Sequence, residues 1–564
     1  MSLPAPHLSP AAAAALAADL TALPYTTDVV ETLLGPVATA ALDREHAVAA
    51  RRVVAGVLAA PAARDAAAAS RPLAAVVGAF MLGEPVPAAD LAAALPALGL
   101  DGAVEAGLVV LDGADTGAER ARATVDLSPY AADEPGPMWV ASDQTALQRR
   151  GPLPEDHVLG IGRASLTLAG ATQRRPVARA LDLGVGCGVQ TLHLLAHAEH
   201  VTATDLSERA LDFTRFNLLL NADVLRLDRE RLEDRVRLAA GDLLGPVAGE
   251  RFDLVVSNPP FVITPRTDPD APVLTYRDGG REGDRLVAEL IAALPEHLVE
   301  GGTAQLLANW EIPAGAAEIP AGAAEVPAGD DAPPAWDARP RSWVGPGMQA
   351  WFVQRDRQDP AGYAETWLQD SSLELDPAAY EAAYRGYLDD FAARGVTGVG
   401  FGHVWLRRPA ADRSQGRAWT VAEELTQPLD EALGTAWAAA VARRDRLAAG
   451  PEAGATDAVV TGDPALAALR GLHLRVAEDV TEERHSRFGA EHPEVILARQ
   501  GAGFRRTARL DTATAGVLSA SDGELSVGQL VGAVAALLEL DDAGRAGLLA
   551  AVRELHEDGF LLEA

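Results

Sequence analysis

The sequence predicts an α/β fold: a mostly parallel sheet covered by helices on both faces, with mostly helical regions before and after it. Two observations carry this. Residues 141–408 alternate short β-branched runs with helical patterns, the order that builds a parallel sheet. The first of those runs enters a glycine-rich turn that opens directly into a helix, Asp182-Leu-Gly184-Val-Gly186-Cys-Gly188.

The chain has 564 residues, which exceeds one compact domain, so three regions are expected: 1–140, 141–408 and 409–564. In the first, Arg71 to Leu111 reads as helix, turn, helix and a short strand, a winged-helix-like order; alternation through Val125, Leu127 and Tyr130, then Met138-Trp139-Val140, reads as a hairpin. In the last, Glu524 onward reads as two helices and a wing-like strand ending at Glu563. For both flanks a packing role outweighs recognition of nucleic acid. Acidic residues outnumber basic ones 80 to 48, a formal charge of −32, and that field repels phosphate backbones.

In the middle region, strands are expected at 178–182, 200–205, 236–239, 252–256 and 304–308, with two more at 349–353 and 399–406. A Pro/Gly/Ala repeat, Ile312 to Glu318 copied at Ile319 to Glu325, cannot build a core, so 312–334 is expected to be a flexible surface insertion. The one cysteine, Cys187, rules out an internal disulfide and fits a reducing cytoplasm. No run of about twenty strongly apolar residues suggests a membrane anchor.

The chemistry gathers at strand ends. Gly184, Gly186 and Gly188 let the backbone turn sharply and approach a ligand; a dinucleotide is the competing ligand. The spacing G-x-G-x-G differs from the G-x-G-x-x-G that seats a pyrophosphate, and Asp182 before it suits a ligand with a cationic amino-acid end. Asp205, followed by Leu206, ends the second strand, where a carboxylate can accept two ribose hydroxyls. Asp242 and Leu243 follow the third strand, placed for an exocyclic amine and the face of a purine.

After the fourth strand comes Ser257-Asn258-Pro259-Pro260-Phe261. A delocalised amide or arylamine nitrogen is a poor nucleophile. Two carbonyls, the Asn258 side chain and the Pro259 main chain, can accept its hydrogens and hold it in line for attack. Pro259 and Pro260 stiffen the turn and Phe261 can lie against a planar group. Cys187 reads as an apolar filler, and His193, His197 and His200 as structural histidines without a further ligand set, so no metal is expected.

These residues resemble the class I S-adenosylmethionine-dependent methyltransferases of the small-domain branch, the group that holds the HemK/PrmC glutamine N5-methyltransferases and several rRNA methyltransferases. The resemblance covers about residues 155–310 and includes a Gly-Gly-x-x-Gly stretch, Gly279-Gly280-Arg-Glu-Gly283. It implies a Rossmann-like, seven-stranded methyltransferase sheet and S-adenosylmethionine as cofactor, held by Asp182, Gly184, Gly186, Gly188, Asp205, Leu206, Asp242, Leu243 and Asn258. It also implies catalysis by Asn258, Pro259, Pro260 and Phe261 on the glutamine amide of a protein such as a release factor, in that family the glutamine of a Gly-Gly-Gln loop. An RNA or DNA amine, flipped out of its stack, is the alternative acceptor. A silent scaffold is a third reading, opposed by the complete set of acids and the intact motif.

Overall fold

The protein is described from a computed structural model, which covers residues 4–60, 65–113, 119–149, 153–266, 277–315, 335–370, 376–411, 416–430, 432–450 and 464–564. Among these, no helix is long and apolar enough to cross a membrane.

The centre is one sheet of eight strands: β1 (Val177–Leu183), β2 (Ala198–Asp205), β3 (Val236–Ala240), β4 (Phe252–Ser257), β5 (Leu298–Pro313), β6 (Gln349–Gln358), β7 (Val396–Arg407) and β8 (Trp419–Glu424). Their order across the sheet is β3-β2-β1-β4-β5-β7-β6-β8. β1 to β5 pair in parallel. β7 runs antiparallel between β5 and β6. The order reverses direction at β1 and β4, and a crevice opens beyond the carboxyl ends of strands at such a point.

The strands form where runs of β-branched and small apolar residues are buried on both faces. In β4, Leu254 and Val256 point into one core and Val255 between them into the other, the alternation of an extended chain. Helix α1 (Arg163–Ala171), α2 (Val189–Leu194) and α3 (Glu208–Leu220) belong to the first face, and α4 (Arg285–Ala293) covers the second.

Three features depart from expectation. The sheet has eight strands instead of seven: Trp419–Glu424 pairs with β6, eleven residues past the boundary expected at 408. Its side chains are all half-buried, so it lacks the clean in-out alternation that announces a strand. The expected insertion begins too early at 312, because Ile312 is fully buried in β5 and pairs with Gly398. Residues 316–334, the greater part of that segment, lie outside the described residues. Region 409–564 also holds more strand than expected, including a three-stranded sheet at Val480–His485, Val495–Gln500 and Thr507–Leu510.

The flanks pack on the centre. The hairpin Asp126–Tyr130 and Met138–Ser142 lies against α3, whose Asn217 exchanges hydrogen bonds with the Ala141 backbone at 2.7 and 2.9 Å. Ahead of it, strands Val86–Pro87, Val109–Asp112 and Arg120–Ala123 form an antiparallel sheet in the order first-third-second, with two helices between the first and second, a winged-helix-like arrangement. At the other end, the helix Leu433–Ala448 seats Trp437 against Trp351 of β6. Arg506 is buried there, joined to Glu423 of β8 at 2.7 and 2.8 Å.

Candidate active site

The carboxyl ends of β1 and β4 meet directly. Leu183 and Ser257 are register partners, and the Ser257 hydroxyl donates to the Leu183 carbonyl at 2.8 Å. The turns that leave the two strands are therefore brought together. After β1 the chain bends through Gly184, Gly186 and Gly188, with φ of 77°, 56° and 94°, a region that side chains with a Cβ rarely occupy. A Cβ on Gly184 would face the Asn258 main-chain carbonyl at 3.9 Å, whereas one on Gly186 would face open space. The glycine bend and the Asn258 turn are neighbours, and Gly186 leaves its side of the bend unobstructed.

Polar residues of α3 hold the bend from beneath. Thr214 donates to the Gly186 carbonyl at 2.9 Å and Asn217 to the Cys187 carbonyl at 2.8 Å. Neither residue is conspicuous in sequence; two buried polar side chains inside an apolar helix were the available signal. Asp143, also unmarked, accepts both guanidinium nitrogens of Arg209 on α3 and the Val158 N–H at 2.8 Å, fixing the chain that precedes α1 over the start of α3.

Asp182 is buried and accepts the Thr191 hydroxyl at 2.7 Å. Burial pushes its carboxyl up to about 7, against hydrogen bonds from Thr191 that pull it down. A cation placed beside it would favour the ionised form. Asp205, at the end of β2, accepts the Gly186 N–H at 3.0 Å and the Ser207 N–H at 2.9 Å. Burial raises its pKa and these donors oppose the rise. The carboxylate thus braces the glycine bend with one lone pair on each oxygen and keeps others for a ligand.

Leu206 is exposed and Asp242 faces solvent, with Arg281 at 3.8 Å. Leu243 is partly buried with φ of +44°, a backbone state uncommon for a branched side chain. The Gly241 N–H donates to the Asp205 carbonyl at 2.9 Å, which brings the ends of β2 and β3 together beside the bend.

At the Asn258 turn, the side-chain oxygen Oδ1 is sealed from solvent and has no hydrogen-bond partner among the described residues. Such an atom costs stability in the free protein, and an incoming donor would satisfy it. The Pro259 carbonyl was expected to serve as a second acceptor; it already accepts the Phe261 N–H at 2.8 Å, which leaves it one lone pair. Phe261 packs against the cores on both sheet faces.

Cys187 is buried, and burial pushes its thiol up to about 12, which keeps it protonated and unreactive. His193 meets the Tyr130 hydroxyl at 2.6 Å and the Glu134 carbonyl at 3.2 Å, and His197 meets the Arg175 carbonyl at 3.0 Å. Among the described residues, no three His, Cys, Asp or Glu side chains are grouped as metal ligands.

The fold is that of a class I methyltransferase domain. Residues 160–318 match the methyltransferase small domain family, and residues 22–122 match a domain of unknown function, DUF7059. A ribosomal protein uL3 glutamine methyltransferase of Bradyrhizobium diazoefficiens is 31% identical over 160 residues, 27% of this chain and 46% of that protein. A release factor glutamine methyltransferase of Geobacter sulfurreducens is 34% identical over 158 residues, 26% of this chain and 50% of that protein. Ribosomal RNA small subunit methyltransferase C of Alcanivorax borkumensis is 31% identical over 135 residues, 24% of this chain and 33% of that protein. The chain thus spans half or less of each of these relatives, and its residues 160–318 are similar to the small-domain methyltransferases.

Proposed function

We propose that the chain transfers a methyl group from S-adenosylmethionine to a planar nitrogen, the side-chain amide of a protein glutamine. The observation that carries this is the Asn258 side-chain oxygen: an acceptor shut away from water and without a partner among the described residues, in a turn whose main-chain carbonyl adjoins the glycine bend.

The residues present fit the cofactor. Gly186 leaves room for close approach, Asp205 has lone pairs for two hydroxyls, and Asp182 suits the cationic end. The cofactor supplies an electrophilic methyl on a sulfonium. Asn258 does the rest of the selection. Its oxygen accepts one hydrogen of an NH2 group, turns the nitrogen toward the bend and favours the positive charge that develops there. Two of the relatives carry names that specify glutamine.

A second reading is methylation of an exocyclic amine on RNA or DNA, favoured by the third relative, named for ribosomal RNA. The same carbonyl would serve an amine flipped from its stack. Incubating cell lysate with radiolabelled cofactor, then treating separately with protease and nuclease, separates the two. Label lost to protease alone supports the glutamine reading; label lost to nuclease alone replaces it with the second.

A further inference from the structure

The Asn258 turn has little means of holding itself. Pro259 and Pro260 carry no N–H, so the first backbone donors after Asn258 belong to Phe261, Val262 and Ile263. All three are engaged. Phe261 closes on Pro259, Val262 donates to the Arg277 carbonyl at 2.8 Å, and Ile263 donates to the Tyr363 hydroxyl at 2.8 Å.

Two elements from far along the chain supply these partners. The first is the strap 277–280, which runs antiparallel to the turn: Phe261 pairs with Asp278, and the Gly279 N–H donates to the Pro260 carbonyl at 3.0 Å. Asp278 is 5% exposed, and its carboxylate accepts the Gly280 N–H at 2.9 Å and the Arg266 guanidinium. The strap packs closely on α4: a Cβ on Gly279 would sit 1.9 Å from Leu286 Cδ1. The second element is α5 (Pro360–Asp370), which carries the fully buried Tyr363. The Asn309 amide of β5 also donates to its oxygen, at 3.3 Å. Arg277 links the two, donating to the Trp367 carbonyl at 3.0 Å.

We propose that Asp278 and Tyr363 are positioning residues for methyl transfer, acting through this brace to fix where the Asn258 carbonyl points. The proposal rests on the reading of Asn258 as the amide acceptor. Neither residue lies in the motif, and neither need touch substrate. Their effect is on aim, and a misplacement of about 1 Å at a reacting centre costs roughly a hundredfold.

Asp278→Asn keeps an oxygen for the Gly280 N–H and removes the charge opposite Arg266; Tyr363→Phe removes the acceptor of the Ile263 N–H. The two lie on different elements, so a variant that does not fold leaves the other to decide. Each is compared with the wild-type full chain in transfer from radiolabelled S-adenosylmethionine to a synthetic Gly-Gly-Gln peptide, in cofactor calorimetry, and in amide exchange read by mass spectrometry. The expected result is a kcat lower by about ten- to a hundredfold, peptide KM and cofactor Kd within about threefold, and faster exchange at Val262 and Ile263 with the 184–188 bend unchanged. A lowered melting temperature with unchanged kcat per folded enzyme overturns the proposal. If the wild type does not methylate the peptide, the glutamine reading fails and exchange decides the brace: faster exchange at Val262 and Ile263 upholds it, and unchanged exchange overturns it.

Discussion

Asn258→Ala separates function from stability in a way few substitutions do. In the free protein the Asn258 oxygen is buried without a partner among the described residues, and an unsatisfied buried acceptor costs about 1–3 kcal/mol of desolvation. Removing it should leave the folded state at least as stable as before. In the proposed transfer the same oxygen is the positioned acceptor for the substrate N–H. Losing one such group costs about 2.7–4 kcal/mol, a fall of roughly 10²–10³ in kcat. Asn258→Gln keeps the amide and displaces it by one methylene, so it should lose activity on a similar scale through geometry alone. The assay is radiolabel transfer under saturating cofactor, with calorimetry for cofactor affinity and urea denaturation for stability. Cofactor affinity should stay within about threefold, since the substitution spares the glycine bend and Asp205. Turnover that survives Asn258→Ala, or a clear drop in its denaturation midpoint, would overturn this assignment.

Asp205→Ala frees the Gly186 and Ser207 N–H groups and should weaken cofactor binding by about tenfold or more, read by calorimetry; unchanged affinity removes Asp205 from the site. Burial holds the Asp182 carboxyl at about 7, above its unfolded value of about 3.9, so the native state binds the proton more tightly. Its stabilising contribution is whole below about pH 4 and is lost as pH rises through 7. Asp182→Asn should therefore gain stability relative to wild type between those pH values and level off above, and a flat difference curve in urea denaturation contradicts this. Arg506→Met strands the Glu423 carboxylate in the interface that joins region 409–564 to the sheet. It should cost about 3–5 kcal/mol, and a loss under about 1 kcal/mol in urea denaturation would rule out the coupling. Ile312→Ala cuts into the buried end of β5 and should cost about 2–5 kcal/mol, where a flexible segment would show no change.

The strand-end turns proposed to hold the cofactor were legible because they are local. Asp182 to Gly188 and Asp205 sit at strand-to-loop turns whose glycines and acids follow a fixed order, and apolar runs locate the strands. The Asn258 turn was equally visible, since two prolines behind an asparagine mark a stiff bend. What stayed hidden is long-range. Asp278 and Tyr363 meet the turn across loop and helix, and nothing near Tyr363 distinguishes it from a core aromatic. Trp419–Glu424 is an edge strand, half-buried throughout, and so lacks the period that signals one. The start of the repeat misled in the other direction. Its composition is that of a linker, yet Ile312 and Pro313 are drawn into β5 by pairing with β7, a tertiary preference that composition does not carry.

The identity of the atom that receives the methyl group decides whether Asn258 selects an amide nitrogen. A Gly-Gly-Gln peptide incubated with the full chain and S-adenosylmethionine, then fragmented in a mass spectrometer, reports that atom. One added methyl on the glutamine side-chain nitrogen is the predicted product, absent with Asn258→Ala. A methyl on an oxygen, a carbon or the peptide's terminal amine, or the same product from Asn258→Ala, would contradict it.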